Sequence, residues 1–145
     1  MEKSKKKIIW QALIFVVTFV VAFFATQYLM SDSSVVDKEL KAVAQEMNKS
    51  CPMMIDKDTR LDNTIALKNN TLQYNYTLLH IEKGAKDVNV EDIKKYIMSK
   101  SQENLNTNPE MNYYREKNTA LKYYYKDKNG KYLLDFTITP EKKQQ

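Results

Sequence analysis

The chain has 145 residues, with 23 Lys and Arg against 18 Asp and Glu and a formal net charge of +5. Lys3, Lys5, Lys6 and Lys7 carry most of that excess, and residues 31–145 hold 19 basic against 17 acidic side chains, not the concentrated patch that nucleic-acid binding needs. The single cysteine, Cys51, excludes an intramolecular disulfide framework, and two glycines are too few for a phosphate-cradling loop.

From Ile8 to Met30 the chain is almost continuously apolar, broken only by Gln11, Thr18, Thr26 and Gln27, without charge, Gly or Pro. That length suits a helix crossing a hydrocarbon core of ~30 Å at ~1.5 Å per residue. The lysines before it favour a cytoplasmic N-terminus, and Trp10 and Tyr28 stand where interfacial rings belong. A cleaved secretory signal has a shorter core and a small-x-small site, whereas Phe23 occupies a position that wants a small residue. The expected organisation is a basic cytoplasmic segment at 1–7 and a transmembrane signal-anchor helix at 8–30. An extracytoplasmic domain at 31–140 and a flexible tail at 141–145 follow. The expected location is the bacterial cytoplasmic (inner) membrane, with the lipid bilayer as a partner and the C-terminal domain periplasmic or extracellular.

Beyond a polar exit at residues 31–34, Val35/Val36, Leu40, Val43/Ala44 and Met47 recur at helical spacing and predict a helix from about Val35 to Lys49, ended by Pro52. Leu61 to Leu67 reads as a strand, followed by a Lys68-Asn69-Asn70 turn. Leu72, Tyr74, Tyr76 and Leu78 then alternate with polar residues, predicting a strand with a buried aromatic face. Asn89 caps a second helix whose apolar face is Val90, Ile93, Ile97 and Met98, fading near Leu105 and stopped by Pro109. Glu110 to Lys117 suggests one helical turn. Leu121, Tyr123 and Tyr125 alternate on a third strand; Tyr132, Leu134, Phe136 and Ile138 alternate on a fourth, joined through Asp127-Lys128-Asn129-Gly130. The predicted fold class is α+β: the transmembrane helix, then a small αββαββ domain with an antiparallel sheet and both helices on one face.

Chemistry-bearing motifs are sparse. His80 is the sole histidine, so a His-based metal site lacks a second ligand. Asp56, Asp58 and Asp62 lack the glycine and closing glutamate of a calcium loop, and Lys57 and Arg60 neutralise them. Three matches to the glycosylation sequon, at Asn48, Asn69 and Asn75, read as chance in an Asn-rich chain. Neither a metal nor another cofactor is expected, and no catalytic residue is assigned. Tyrosine is the conspicuous residue type: alternation sends Tyr123 and Tyr125 to one face of a strand and Tyr124 to the other, and exposed tyrosines favour protein or glycan contacts. The candidate interaction residues are Arg60, Asp62, Tyr113, Tyr114 and Tyr124.

Asn48, Pro52-Met53, Asp56, Thr59-Arg60-Leu61-Asp62 and Tyr74-x-Tyr76-Thr77-Leu78 form a pattern that continues in Tyr123-x-Tyr125, Asp127, Gly130, Ile138 and Pro140. Over residues 48–140 it resembles a group of small, functionally uncharacterised bacterial envelope proteins with one anchor or lipid-attachment segment and a compact outer domain. The resemblance implies an extracytoplasmic, non-enzymatic protein. The expected function is a membrane-anchored protein-interaction module, an accessory subunit of an envelope complex or an immunity-type binder, with a protein partner and no nucleic acid. A homodimer through Cys51 or the anchor helix is a further expectation. The alternatives are a small envelope hydrolase acting through Asp56, Asp58 or His80, and a pilin-like structural subunit.

Overall fold

The computed structural model describes residues 36–141. Its elements are α1 (Lys38–Asn48), β1 (Met53–Met54), β2 (Thr59–Leu67), β3 (Thr71–Leu78), α2 (Val90–Thr107), a 3-10 turn (Pro109–Met111), α3 (Asn112–Glu116), β4 (Ala120–Lys126) and β5 (Tyr132–Ile138). Asp37 caps α1, its Oδ1 accepting the Leu40 N–H at 2.8 Å, and Asn89 caps α2 through the N–H groups of Glu91 and Asp92.

The predicted fold class is corrected in its sheet. Among the described residues no helix is long and apolar enough to cross a membrane, and the segment expected to do so, residues 8–30, lies outside them. The sheet is five-stranded, in the order β1-β2-β3-β4-β5, and mixed rather than antiparallel: β3 and β4 pair in parallel, Thr71 beside Ala120 through Thr77 beside Lys126. The reason is the connection. Between β3 and β4 the chain passes through α2 and α3, and a helical crossover returns it to the end where β3 began. Asn70 fixes that return. Its carbonyl accepts the Ala120 N–H at 3.0 Å, its side-chain amide donates to the carbonyls of Lys117 and Asn118, and its Oδ1 accepts the Thr119 hydroxyl. Asn69 and Asn70 both have positive φ, 58° and 49°, a conformation asparagine tolerates better than most residues.

Strand pairing aligns three transverse rows on the inner face. These are Ala66, Leu72, Leu121 and Ile138; Thr64, Tyr74, Tyr123 and Phe136; and Leu61, Tyr76, Tyr125 and Leu134. Leu40 and Ala44 of α1 and Leu105 of α2 join these rows in one core. A bulge between Leu61 and Asn63 makes Asp62 an extra residue, so Leu61, Thr64 and Ala66 all face inward, as simple alternation would not allow. A second irregularity at Tyr125/Lys126 turns Tyr132 outward, exposed at 44%, although it begins the alternating series of β5. Leu105, read as the fading end of α2, is instead its fully buried anchor. Gly130 closes the β4–β5 turn at φ 77°, and open space surrounds it, so the backbone conformation alone calls for glycine there.

Candidate functional site: a tyrosine-floored cleft

α1 packs on β2 and β3, and α2 packs on β5. The inner face between the two helices is left as a cleft of about 550 Å³. Its floor is Tyr74 and Tyr76 from β3 and Tyr123 and Tyr125 from β4. Alternation at period two, carried across a parallel pair in register, is what gathers four tyrosines on one face. Met47, Met53 and Ile55 wall one side, and Tyr96, Ile97 and Met111 the other. Asp56, Lys100, Ser101 and Asn104 add polar groups to the lining.

The floor rings stand on the sheet and stack on one another. Centroid distances are 5.4 Å for Tyr74 and Tyr123, 5.0 Å for Tyr76 and Tyr125, and 5.0 Å for Tyr123 and Phe136, with interplanar angles of 22°, 17° and 13°. Faces are therefore taken up within the floor, and the hydroxyl ends point away from the sheet. The Tyr74 hydroxyl donates to that of Tyr114 at 3.3 Å, and Tyr123 shares the cleft lining with Ser101. The hydroxyls of Tyr76 and Tyr125 have no partner among the described residues, and no enclosed side-chain polar atom there is unpaired. Both hydroxyls consequently reach the open space of the cleft, although Tyr125 is only 5% exposed. Burial pushes the pKa values of all four phenols up, that of Tyr123 to about 12, so they remain protonated donors at neutral pH.

The sequence-predicted interaction residues divide between two faces. Arg60, Asp62 and Tyr124 lie on the outer face of the sheet. There Arg60 Nε is 2.7 Å from Asp62 Oδ1, Thr77 donates to Asp62 Oδ2 at 2.6 Å, and Tyr124 packs 5.4 Å from Tyr132. Tyr113 and Tyr114 lie on the helical side, Tyr114 buried and Tyr113 half-buried against the core, their rings edge to face. They do not form one surface. The cleft residues Tyr76, Tyr125 and Ile97 were in view as parts of alternating or helical patterns, and Met53 only as part of the resemblance, but nothing in the sequence says that a gap lies above them.

Elsewhere, Asp56 Oδ1 accepts the N–H of Asp58 at 2.7 Å, and Asp58 stands 3.5 Å from His80 Nε2, both side chains exposed. Cys51 is half-buried, its thiol directed at the Met47 carbonyl at 3.5 Å, and desolvation, then the charge of Asp62, raises its pKa. A thiol of that kind is a weak nucleophile.

Three solved structures share the fold. A candidate secreted protein from Pseudomonas aeruginosa has a TM-score of 0.57 at 16% identity, covering 74% of this chain and 88% of that one. The pilotin EpsS of the Vibrio vulnificus type 2 secretion system has 0.55 at 12%, covering 70% and 84%. The type II secretion pilotin AspS of Vibrio cholerae has 0.51 at 10%, covering 76% and 94%. At these identities the likeness is one of fold. No curated protein matches the sequence. A family profile does match, over residues 34–134, which include α1, β1 to β4 and the whole floor of the cleft. The chain belongs to that family, described as a domain of unknown function (DUF8479).

Proposed function

We propose that this protein is an extracytoplasmic protein-binding module of the bacterial envelope, an accessory subunit of a larger complex that engages its partner through the cleft between α1 and α2. The observation that carries the reading is the cleft itself. Met53, Ile55 and Tyr96 stay exposed at 36%, 51% and 68% around a recess floored by donor hydroxyls. Exposed apolar groups rimming a concave site mark places where proteins meet other molecules. The pilotins that share the fold come from secretion machinery, which supports an envelope setting. The module is read as binding without catalysis: phenols held protonated suit hydrogen-bond donation better than proton abstraction at neutral pH.

The test is affinity capture of the full chain from its native envelope, comparing wild type with Met53→Glu, Ile97→Glu and the outer-face control Lys126→Glu. The proposal expects a stoichiometric protein partner that is lost from both cleft variants and kept by the control. A partner lost only with the control would move the site to the outer face, and a partner indifferent to all three would end the proposal.

A further inference from the structure

The cleft's shape and donors define the class of ligand, an inference that rests on the binding role just proposed. We propose that the cleft takes an extended, apolar peptide segment of a partner protein, whose main-chain carbonyls accept hydrogen bonds from the hydroxyls of Tyr76 and Tyr125.

Width decides the conformation. α1 sits over β2 and α2 over β5, three strand spacings of ~4.8 Å apart, or about 14 Å. Packed helices lie ~8–10 Å axis to axis, so a third helix between these two needs about 16–20 Å. An extended chain is thin enough to enter and brings one row of side chains down between the walls. Those walls, Met47, Met53 and Ile55 facing Ile97 and Met111, are apolar, and thioethers adapt to varied shapes.

The floor decides the polar chemistry. Tyr125 is a nearly buried side chain whose hydroxyl has no partner among the described residues and lines the cleft. Tyr76 stands beside it, ring to ring at 5.0 Å, with its own hydroxyl unpartnered among the described residues. Leaving such donors unmade under an apolar ligand is costly, so the ligand must bring acceptors, and a peptide main chain carries one at every residue. A sugar is a poorer fit, because sugar binding uses exposed ring faces and these faces are stacked on each other.

The charges favour a neutral segment. Lys100 pairs with Glu103 at 3.0 Å, while Asp56, whose Oδ1 accepts the N–H of Asp58, keeps its negative charge in the lining, so an acidic segment is disfavoured and a neutral one is accepted. Neutral walls and neutral donors complement an uncharged apolar stretch.

The test pans a random dodecapeptide phage library against the immobilised full-length chain. Selected peptides are then synthesised and titrated against wild type and Tyr76→Phe/Tyr125→Phe, which removes two oxygens and keeps both rings. The expected result is a set of apolar sequences that bind wild type and lose about tenfold or more in the double variant, with circular dichroism and thermal midpoint unchanged. Helix-stapled versions bind more weakly than linear ones. An empty selection, binding indifferent to the double variant, tighter binding by stapled helices, or binding of a sugar library in its place would each overturn the inference. If the inference fails while Met53→Glu and Ile97→Glu still lose an envelope partner, the binding role stands and only the extended segment falls.

Discussion

Asn48 does the work of a neighbouring strand. Its side-chain amide donates to the Thr64 carbonyl at 2.8 Å and its Oδ1 accepts the Thr64 N–H at 2.7 Å, so one side chain imitates a peptide unit on the β2 edge. The Thr64 hydroxyl, itself buried, turns back to the Ala44 carbonyl and ties the same point to α1. Removing one side of such a pairing leaves backbone groups unsatisfied. Asn48→Ala is predicted to lower stability by about 1–3 kcal/mol in denaturant melts, whereas alanine at the exposed Lys68 should change little. Asp127 does a similar job in the β4–β5 turn. Its carboxylate accepts the N–H groups of Lys83 at 3.0 Å, Asn129 at 2.9 Å and Lys131 at 2.8 Å, and these bonds, that from Lys83 foremost, hold its pKa below the ordinary value. A lowered folded-state pKa contributes stability that is present above the unfolded pKa of about 4 and lost as pH falls through the folded one. Asp127→Asn should therefore be less stable at pH 7 and show a flatter stability profile below pH 4; an unchanged profile would contradict the assigned bonds.

At the scale of elements, the tyrosine floor carries its own pH signature. Burial raises the phenol pKa values of Tyr74, Tyr76, Tyr123 and Tyr125 above their ordinary value near 10. Raised folded-state values mean stability is complete below about pH 10 and declines as pH climbs from there toward the folded values. Titration by tyrosinate absorbance should show a subset of the tyrosines silent until the chain unfolds, and ionisation of all ten in one step near pH 10 would contradict the stacked floor. The strands themselves were legible, because alternation in β3 and β4 is nearly unbroken. Their parallel pairing was not. Two strands on either side of a helix carry the same alternation whichever way they run, and the bonds from Asn70 that fix the direction join residues almost fifty positions apart. The bulge at Asp62 was hidden for a related reason: an extra outward residue looks like any polar residue in a strand. Of the candidate site, the residue types were visible and their assembly was not. Tyr113 and Tyr114 looked exposed as neighbours on a short helix, yet Tyr114 fills the core and pairs with Tyr74.

Across the molecule, α2 is held unevenly. Its C-terminal end is anchored by buried Leu105 and by Arg115, whose Nη1 donates to the carbonyls of Leu105 and Asn108, both at 2.7 Å. Val90, Ile93 and Ile97 toward its start are only half-buried. Leu105→Ala should cost about 2–5 kcal/mol, and hydrogen exchange in the wild type should be faster in residues 90–98 than in 100–107. The less anchored end is the one that supplies Tyr96 and Ile97 to the cleft wall, so the recess has one firm side, built on the sheet and α1, and one side able to adjust to a ligand. The central claim, that this recess is where a protein partner docks, is tested most directly by photo-crosslinking in living cells. A photoreactive residue replaces Met53 or Tyr96 at the mouth of the cleft, or Lys126 on the outer face, in the full-length chain. The account predicts a discrete protein adduct from both cleft positions and none from position 126; an adduct from 126 alone, or from no position, would contradict it.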